Sequence, residues 1–353
     1  MKILLTGVPG WLGNRLLEIL METADDAAVP DNLIKQFSGA DISCLVLPDQ
    51  NLSTFQRYNN GNIHFHRGDL TVKDSLSGFM DGAEGSTLFH LAGLIHPKKK
   101  VNEIWDVNVN GSKNLLDSAI EKEVRKIVII SSNSPIGCNP NRNHIFNEES
   151  PYNPYMAYGK SKMKLEQMIE DYNTRFDVDI TVLRPCWFYG PNQPQRQSVF
   201  FNMIKNGKAP LVGDGGNRRS MSYVDNTCQA ILLAAVKPEA RGQTYWVADE
   251  EPYTMKEIID TVGQVLKEDF GFSVIDGYFR LPSFASEIAL LVDRMMQGIG
   301  SYNQKIHVLS EMNKNIACSI SKAKRELGYN PMISLKDGMR RSVAWCIDHG
   351  HPL

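Results

Sequence analysis

The sequence predicts an α/β protein, a doubly wound parallel sheet with a smaller mixed α/β C-terminal lobe. Three observations carry that reading. Short apolar runs alternate with longer segments of helical periodicity over the first half of the chain. The first run, Lys2-Ile3-Leu4-Leu5, stops at Thr6-Gly7-Val8-Pro9-Gly10-Trp11-Leu12-Gly13 and passes directly into a helical pattern of Trp11, Leu12, Leu16, Leu17 and Leu20. A later run, 126–130, ends in Ser131-Ser132 and is followed by a helix-like segment holding Tyr158-Gly159-Lys160-Ser161-Lys162.

Taken in order, strands are expected at 2–6, 42–47, 62–66, 87–90, 126–131 and 179–183, with helices between them, notably at 101–122 and 154–173. The segment 21–41 exceeds a simple helix–strand link and holds Asp25, Asp26, Pro30 and Gly39. It is expected to extend the first helix or to form a surface excursion. After Pro185 the alternation fades. Residues 1–185 and about 221–247 are assigned to the sheet domain, and about 186–220 and 248–353 to the second lobe, with a cleft between them. A chain of 353 residues is long enough to bury both.

The strand, glycine turn and helix at the start form an arrangement that aims backbone N–H groups and the positive helix end at phosphates. Gly7 permits the tight turn, Gly10 lets backbone approach a dinucleotide pyrophosphate, and Gly13 lets helix and strand pack closely. The spacing is GxxGxxG, not the GxGxxG of the standard fingerprint. An ordinary glycine turn is the alternative, and its place after the first strand argues against it.

Tyr-x-x-x-Lys is weak by itself, since about one such pair is expected from composition. The serine-ended strand upstream gives it meaning, because it brings Ser132, Tyr158 and Lys162 to the carboxyl edge of a sheet, where doubly wound folds bind ligands. A phenol works as an acid–base group near neutral pH only if its pKa is brought down from about 10. The Lys162 ammonium and an oxidised nicotinamide are both expected to favour the phenolate. Lys162 would also hold the nicotinamide ribose. Ser132 would fix the substrate oxygen while Tyr158 takes or gives its proton. Taken singly, each residue reads as well as a cap, a turn or a surface pair.

With these residues in place, the chain resembles the extended short-chain dehydrogenase/reductase superfamily, in its NAD-dependent epimerase/dehydratase branch. The likeness rests on Gly68-Asp69-Leu70, His90-Leu91-Ala92-Gly93, Asn108-Val109-Asn110-Gly111, Leu183-Arg184-Pro185 with Tyr189-Gly190-Pro191, Ser222-Tyr223-Val224-Asp225-Asn226 and 326–331. It implies a Rossmann-type domain. It also implies cofactor contacts at Trp11, Leu12, Asp69 (toward adenine), Leu70, Leu91, Ala92, Gly93, Asn108, Ser131, Tyr158, Lys162 and Pro185, beside the three glycines. Where the family often reads Ser-Ser-x-x-Val-Tyr-Gly, this chain has Ser131-Ser132-Asn133-Ser134-Pro135-Ile136-Gly137, which implies an unusual pocket wall.

The cofactor is expected to be NAD, with NADP left open. The run Cys44–Gln50 holds no basic residue for a 2′-phosphate, and Asp49 lies a step beyond the usual acidic position. Family 4,6-dehydratases carry Asp-Glu after the catalytic hydroxyl residue, and Asn133 and Ser134 stand there instead, which argues against dehydration. The remaining reading is an epimerase or 4-ketoreductase of a nucleotide sugar, with Ser132, Asn133, Ser134, Tyr158, Arg218 and Arg219 on the substrate. Arg219 resembles the arginine that grips the diphosphate. The second arginine expected late in the chain is missing, with Lys305 or Lys314 as substitutes. That gap, and the apolar 282–296 segment, keep open a 3β-hydroxysteroid-dehydrogenase-like activity on an apolar alcohol. A cofactor-bound protein without turnover is disfavoured by the intact Ser, Tyr and Lys.

Net charge is −2 with 22 % charged residues, so no strong nucleic-acid or anionic-membrane tendency shows. Lys98-Lys99-Lys100 reads as a solvated loop. Six scattered cysteines without CxxC read as reduced residues, and His64 and His66 as strand residues, with no metal site. The start runs straight into a strand, so no leader is expected and the location expected is cytoplasmic. The apolar 288–292 stretch is broken by Asp293 and Arg294, so no membrane span is expected. The family likeness also implies a homodimer through the helices at 101–122 and 154–173.

Overall fold

The apolar runs become parallel strands covered on both faces, because successive side chains point to opposite sides and each side meets a layer of helices. The computed structural model describes residues 1–24, 26–53, 55, 61–98 and 100–353. Asp25 of the 21–41 segment and Lys99 of the lysine run lie outside the described residues.

The central sheet holds β1 (Lys2–Thr6), β2 (Asp41–Val46), β3 (Ile63–Arg67), β4 (Thr87–His90), β5 (Lys126–Ile130) and β6 (Asp179–Pro185). A late strand, β11 (Thr244–Val247), completes it. The order is β3-β2-β1-β4-β5-β6-β11, with every neighbouring pair parallel. Strand order reverses between β1 and β4, which opens a crevice at their carboxyl ends. Ile3 and Leu5 face one core with α1 (Trp11–Leu20) and α7 (Val224–Val236). Leu4 faces the other, with α4 (Ser112–Glu121) and α5 (Met156–Arg175).

The helix expected over 101–122 is continuous but not uniform. α3 (Asn102–Trp105) passes through a π-helical turn, Asp106–Gly111, into α4. The segment after α1 forms α2 (Asp31–Ile34) and a short 3₁₀ turn, and it is no surface excursion. Leu33 and Phe37 are buried in it, and the Ala28 N–H donates to Asp225 Oδ2 at 2.9 Å. The same carboxylate holds Arg15 of α1 through Nε at 2.6 Å.

Among the described residues, three two-stranded pairs lie outside the sheet. They are β7 (Trp187–Tyr189) with β10 (Met221–Tyr223), β8 (Pro210–Val212) with β13 (Phe279–Leu281), and β9 (Arg218–Arg219) with β12 (Tyr253–Thr254). Around them stand α6 (Gln195–Lys205), α8 (Met255–Glu268), α9 (Phe284–Gly298), α10 (Gln304–Glu311), α11 (Ser321–Leu327) and α12 (Leu335–Asp348). A third core joins Ile258, Val262 and Leu266 of α8 to Met339 and Val343 of α12. Among the described residues, no helix is long and apolar enough to cross a membrane.

Candidate active site

The glycine turn sits at the strand-order reversal. Gly7 has φ +94°, and a Cβ there would lie 2.8 Å from Ala92 N, so the turn is pressed against the loop after β4. A Cβ on Gly10 or Gly13 would lie 2.7 or 2.3 Å from Gly7 O. The first turn of α1 has no acidic residue and no side-chain cap. Backbone N–H groups and the positive helix end therefore face a cradle only glycines can line, which fits a pyrophosphate. Leu12 is buried beneath it. Trp11 turns away, its Nε1 donating to Pro191 O at 2.5 Å.

A buried polar chain fixes the second wall. Thr6 Oγ1 and His90 Nδ1 are 2.8 Å apart, as are His90 Nε2 and Ser112 Oγ, and Ala92 N donates to Thr6 Oγ1 at 3.2 Å. Burial drives the His90 imidazole down to about 3, so it is neutral. The π-turn carries Asn108 inward. Its Oδ1 accepts Leu94 N–H at 2.7 Å, and its Nδ2 donates to Leu94 O at 2.9 Å and Ser161 Oγ at 3.1 Å. One amide thus ties the Leu91-Ala92-Gly93 loop to the helix of Tyr158 and Lys162. A Cβ on Gly93 would lie 3.2 Å from Lys162 Nζ. Leu70 is buried against Gly111, and Asp69 Oδ1 is engaged by Thr71 N–H and Oγ1–H, both at 2.8 Å.

Lys162 Nζ donates to Ile130 O at 2.9 Å. Burial lowers its pKa to about 8 against the opposing pull of Glu166. Tyr158 is hydrogen-bonded with Ser132, and burial raises its phenol to about 12. This reverses the expected lowering, because the Lys162 ammonium is turned to a carbonyl and the phenol is desolvated. Ser132 Oγ also accepts Ser134 N–H at 3.2 Å and approaches Asn133 Oδ1 at 3.4 Å.

Four expected residues stand differently. The Ser131 hydroxyl is buried and donates to Glu166 Oε1, so its side chain serves the fold. Asp49 lies exposed in the turn after β2, and Arg67 reaches that turn from β3, donating to Pro48 O and to Gln50 O at 3.2 Å. A basic group therefore does stand near the second strand's end. The structure also separates the two arginines, because neighbours on a strand point to opposite sides. Arg218 lines a separate cavity of about 720 Å³ with Glu250, Lys324 and Arg325. Arg219 is buried, donates through Nη2 to Glu311 O, and stacks over Trp187. Its charge acts on Cys138, next to the serine loop, and its Nε has no hydrogen-bond partner among the described residues. Pro185 is buried at the end of β6, and Ile136, at the departure from the family pattern, packs into the core.

The sequence pattern of the NAD dependent epimerase/dehydratase family matches residues 3–248. The chain belongs to that family. A Sinorhizobium fredii relative, described as uncharacterized protein y4nL, is 46 % identical over 349 residues, 99 % of this chain and 96 % of its own. Sterol-4-alpha-carboxylate 3-dehydrogenase, decarboxylating, from Saccharomyces cerevisiae is 26 % identical over 368 positions, covering 99 % of this chain and 98 % of its own. The crystal structure of UDP-glucose 4-epimerase from Thermotoga maritima with UDP-glucose has a TM-score of 0.71 at 22 % identity, covering 99 % of each chain. The likeness to that structure is one of fold.

Within this member of the NAD-dependent epimerase/dehydratase family, further groups stand beside the site that the sequence reading did not place there, although Arg184 belongs to the Leu183-Arg184-Pro185 motif. The buried Arg184 donates to Glu166 through Nη2 at 2.6 Å, directly behind Lys162. Glu311, on α10, acts electrostatically on Tyr158. Gln297 of α9 accepts the Ala157 N–H at 3.1 Å, while Tyr155 OH and Ser310 Oγ are 2.7 Å apart. Those two contacts brace Met156, whose φ of +55° is left-handed and strained for a side chain of this size. Glu166 alone hinted at its place, four residues after Lys162 on one helical face.

Proposed function

We propose that the protein is an NAD-dependent nucleotide-sugar epimerase or 4-ketoreductase, acting in the cytoplasm as a homodimer through α4 and α5. The observation that supports it most is Arg219, a buried guanidinium beside the serine loop with an unpartnered Nε. Such a fork suits the oxygens of a diphosphate. The glycine turn would hold the pyrophosphate, Asp69 and Asp49 the adenosine, and Lys162 the nicotinamide ribose. Arg67 keeps NADP open. When bound, nicotinamide takes a hydride from the carbinol carbon or returns one to it. Ser132 orients the substrate oxygen and Tyr158 moves its proton. Burial raises the Tyr158 phenol to about 12, so before the positive charge of an oxidised nicotinamide is added it is protonated at neutral pH.

A 3β-hydroxysteroid-dehydrogenase-like oxidoreductase on an apolar alcohol or ketone is the second reading. It is favoured by the late segment, which brings Glu311 to the cleft in place of a second arginine. Lys314 is committed to Glu287 at 2.5 Å, and Lys305 is exposed. The test is to identify the cofactor released on denaturation, then titrate the emptied protein with nucleoside diphosphates. Released NAD and diphosphate binding that weakens about ten- to a hundredfold in Arg219→Ala support the first reading. A protein that takes NADPH and ignores diphosphates supports the second.

A further inference from the structure

α9 turns its large apolar residues outward. Phe284, Ile288, Leu291, Met295 and the adjoining Ile299 are 63, 56, 61, 66 and 84 % exposed, with Val292 beside them at 37 %. At helical spacing they fall within an arc of about 100° and run for about 22 Å. The inward side is committed. Asp293 is fully buried, with Oδ2 2.7 Å from His307 Nδ1 and Oδ1 accepting from Gln297 Nε2 at 3.0 Å. The acid that interrupts the apolar stretch in the sequence therefore faces inward, and the outward stripe is unbroken. A continuous apolar stripe of this length marks an interaction surface.

The surrounding charges select its partner. Between 280 and 305 the exposed charged groups are Arg280, Glu287, Arg294 and Lys305, and the one acid among them is tied to Lys314. At the carboxyl end, Val101 N–H donates to Gly300 O at 3.1 Å and brings the exposed Lys98 and Lys100 alongside. Glu103 there turns its carboxylate to the backbone N–H groups of those lysines. Cations thus outnumber acids around the stripe, although the whole chain is at −2. An isologous contact with a second copy would set these cations against themselves. A surface with an apolar interior and a negative rim would satisfy both features.

We propose that α9 is an interfacial helix that seats the protein on an anionic phospholipid surface. Its apolar stripe lies among the acyl chains, and Arg280, Arg294, Lys305, Lys98 and Lys100 lie at the headgroups. Through Gln297 the seated helix is one hydrogen bond from the residue preceding Tyr158. The proposal is independent of the substrate reading.

The test is co-sedimentation of the full chain with vesicles of phosphatidylcholine alone and with phosphatidylglycerol added at about one part in four. Binding is expected on the mixed vesicles and about tenfold weaker on phosphatidylcholine alone. Arg294→Glu with Lys305→Glu should weaken it about tenfold or more, and Ile288→Glu with Leu291→Glu should abolish it. All variants should melt as the parent does, since the changed side chains are exposed. Absence of vesicle binding by the parent, or binding that survives both pairs of substitutions, overturns the proposal. A stripe variant that only converts a dimer to a monomer in sedimentation, without vesicle binding by the parent, assigns the face to a second copy and overturns it too.

Discussion

Around the glycine turn, Thr6, His90 and Ser112 form one buried chain and Asn108 is engaged by Leu94 and Ser161, whereas outside the sheet Arg219 keeps a buried Nε without a partner among the described residues and α9 turns apolar residues to the outside. The first side fits the dinucleotide cofactor, and its geometry is fixed by contacts at Gly7, Gly10 and Gly13 too close for a Cβ. The second side carries the proposed diphosphate and lipid contacts. The difference teaches where to look for specificity. The candidate there is Arg219: unlike Asn14 Oδ1 and Trp246 Nε1, which also lack a hydrogen-bond partner among the described residues, it carries a full charge on a strand outside the central sheet.

The sharpest break in the comparison is Tyr158→Phe. Turnover is expected to fall about a thousandfold while cofactor titration is nearly unchanged; retained turnover would remove Tyr158 from the chemistry. Gly13→Ala acts on the finished side. A Cβ 2.3 Å from Gly7 O should cost about 3 kcal/mol, read as a lower melting temperature and weaker cofactor binding. Normal binding in that variant would show the turn to be more yielding than its contacts imply.

Asp249 extends the contrast to stability. It is buried, accepts from Tyr189 OH at 2.6 Å and from Tyr223 N–H and Asn226 Nδ2 at 3.0 Å, and burial raises its pKa to about 6. A raised carboxyl favours the fold while protonated. Its contribution is full below the unfolded value near 3.8 and is lost as pH rises through about 6, by roughly 2–3 kcal/mol. Denaturant titrations of the parent and Asp249→Asn between those pH values should diverge by that amount. Parallel curves would place the carboxylate in a better solvated site.

The smallest effect concerns Lys162. Its ammonium discharges as pH rises through about 8, so ketone reduction should decline there. Glu166→Gln removes the carboxylate that raises this pKa, and the decline should move to lower pH. An unmoved pH profile would uncouple the pair.

Six of the seven central strands were legible because runs such as Lys126–Ile130 are buried on both faces and therefore apolar throughout. The glycine turn, Ser132, Tyr158 and Lys162 could be read together as a candidate site because the chemistry proposed for them needs fixed spacing. Arg67, Glu311 and Gln297 were not, since each meets the site through the fold and sits in no local pattern. The 21–41 segment misled because Leu33 and Phe37 are sparse apolar residues whose burial is a tertiary matter, as is the Ala28 contact with the distant Asp225. The π-turn was hidden because 102–121 keeps helical composition while its winding changes to carry Asn108 inward.

β6 pairs with β5 on one side and with β11 on the other, and the chain reaches β11 only after leaving the sheet through β7 to β10 and returning by α7. A nascent chain released as far as Pro185 presents β6 as an open edge, its amides and carbonyls free to template another strand. The apolar faces later covered by Tyr245, Trp246 and Val247 are bare over the same interval. A chain stopped between those points keeps β6 as a second uncovered edge in addition to β3, the kind of exposed strand that favours association during folding.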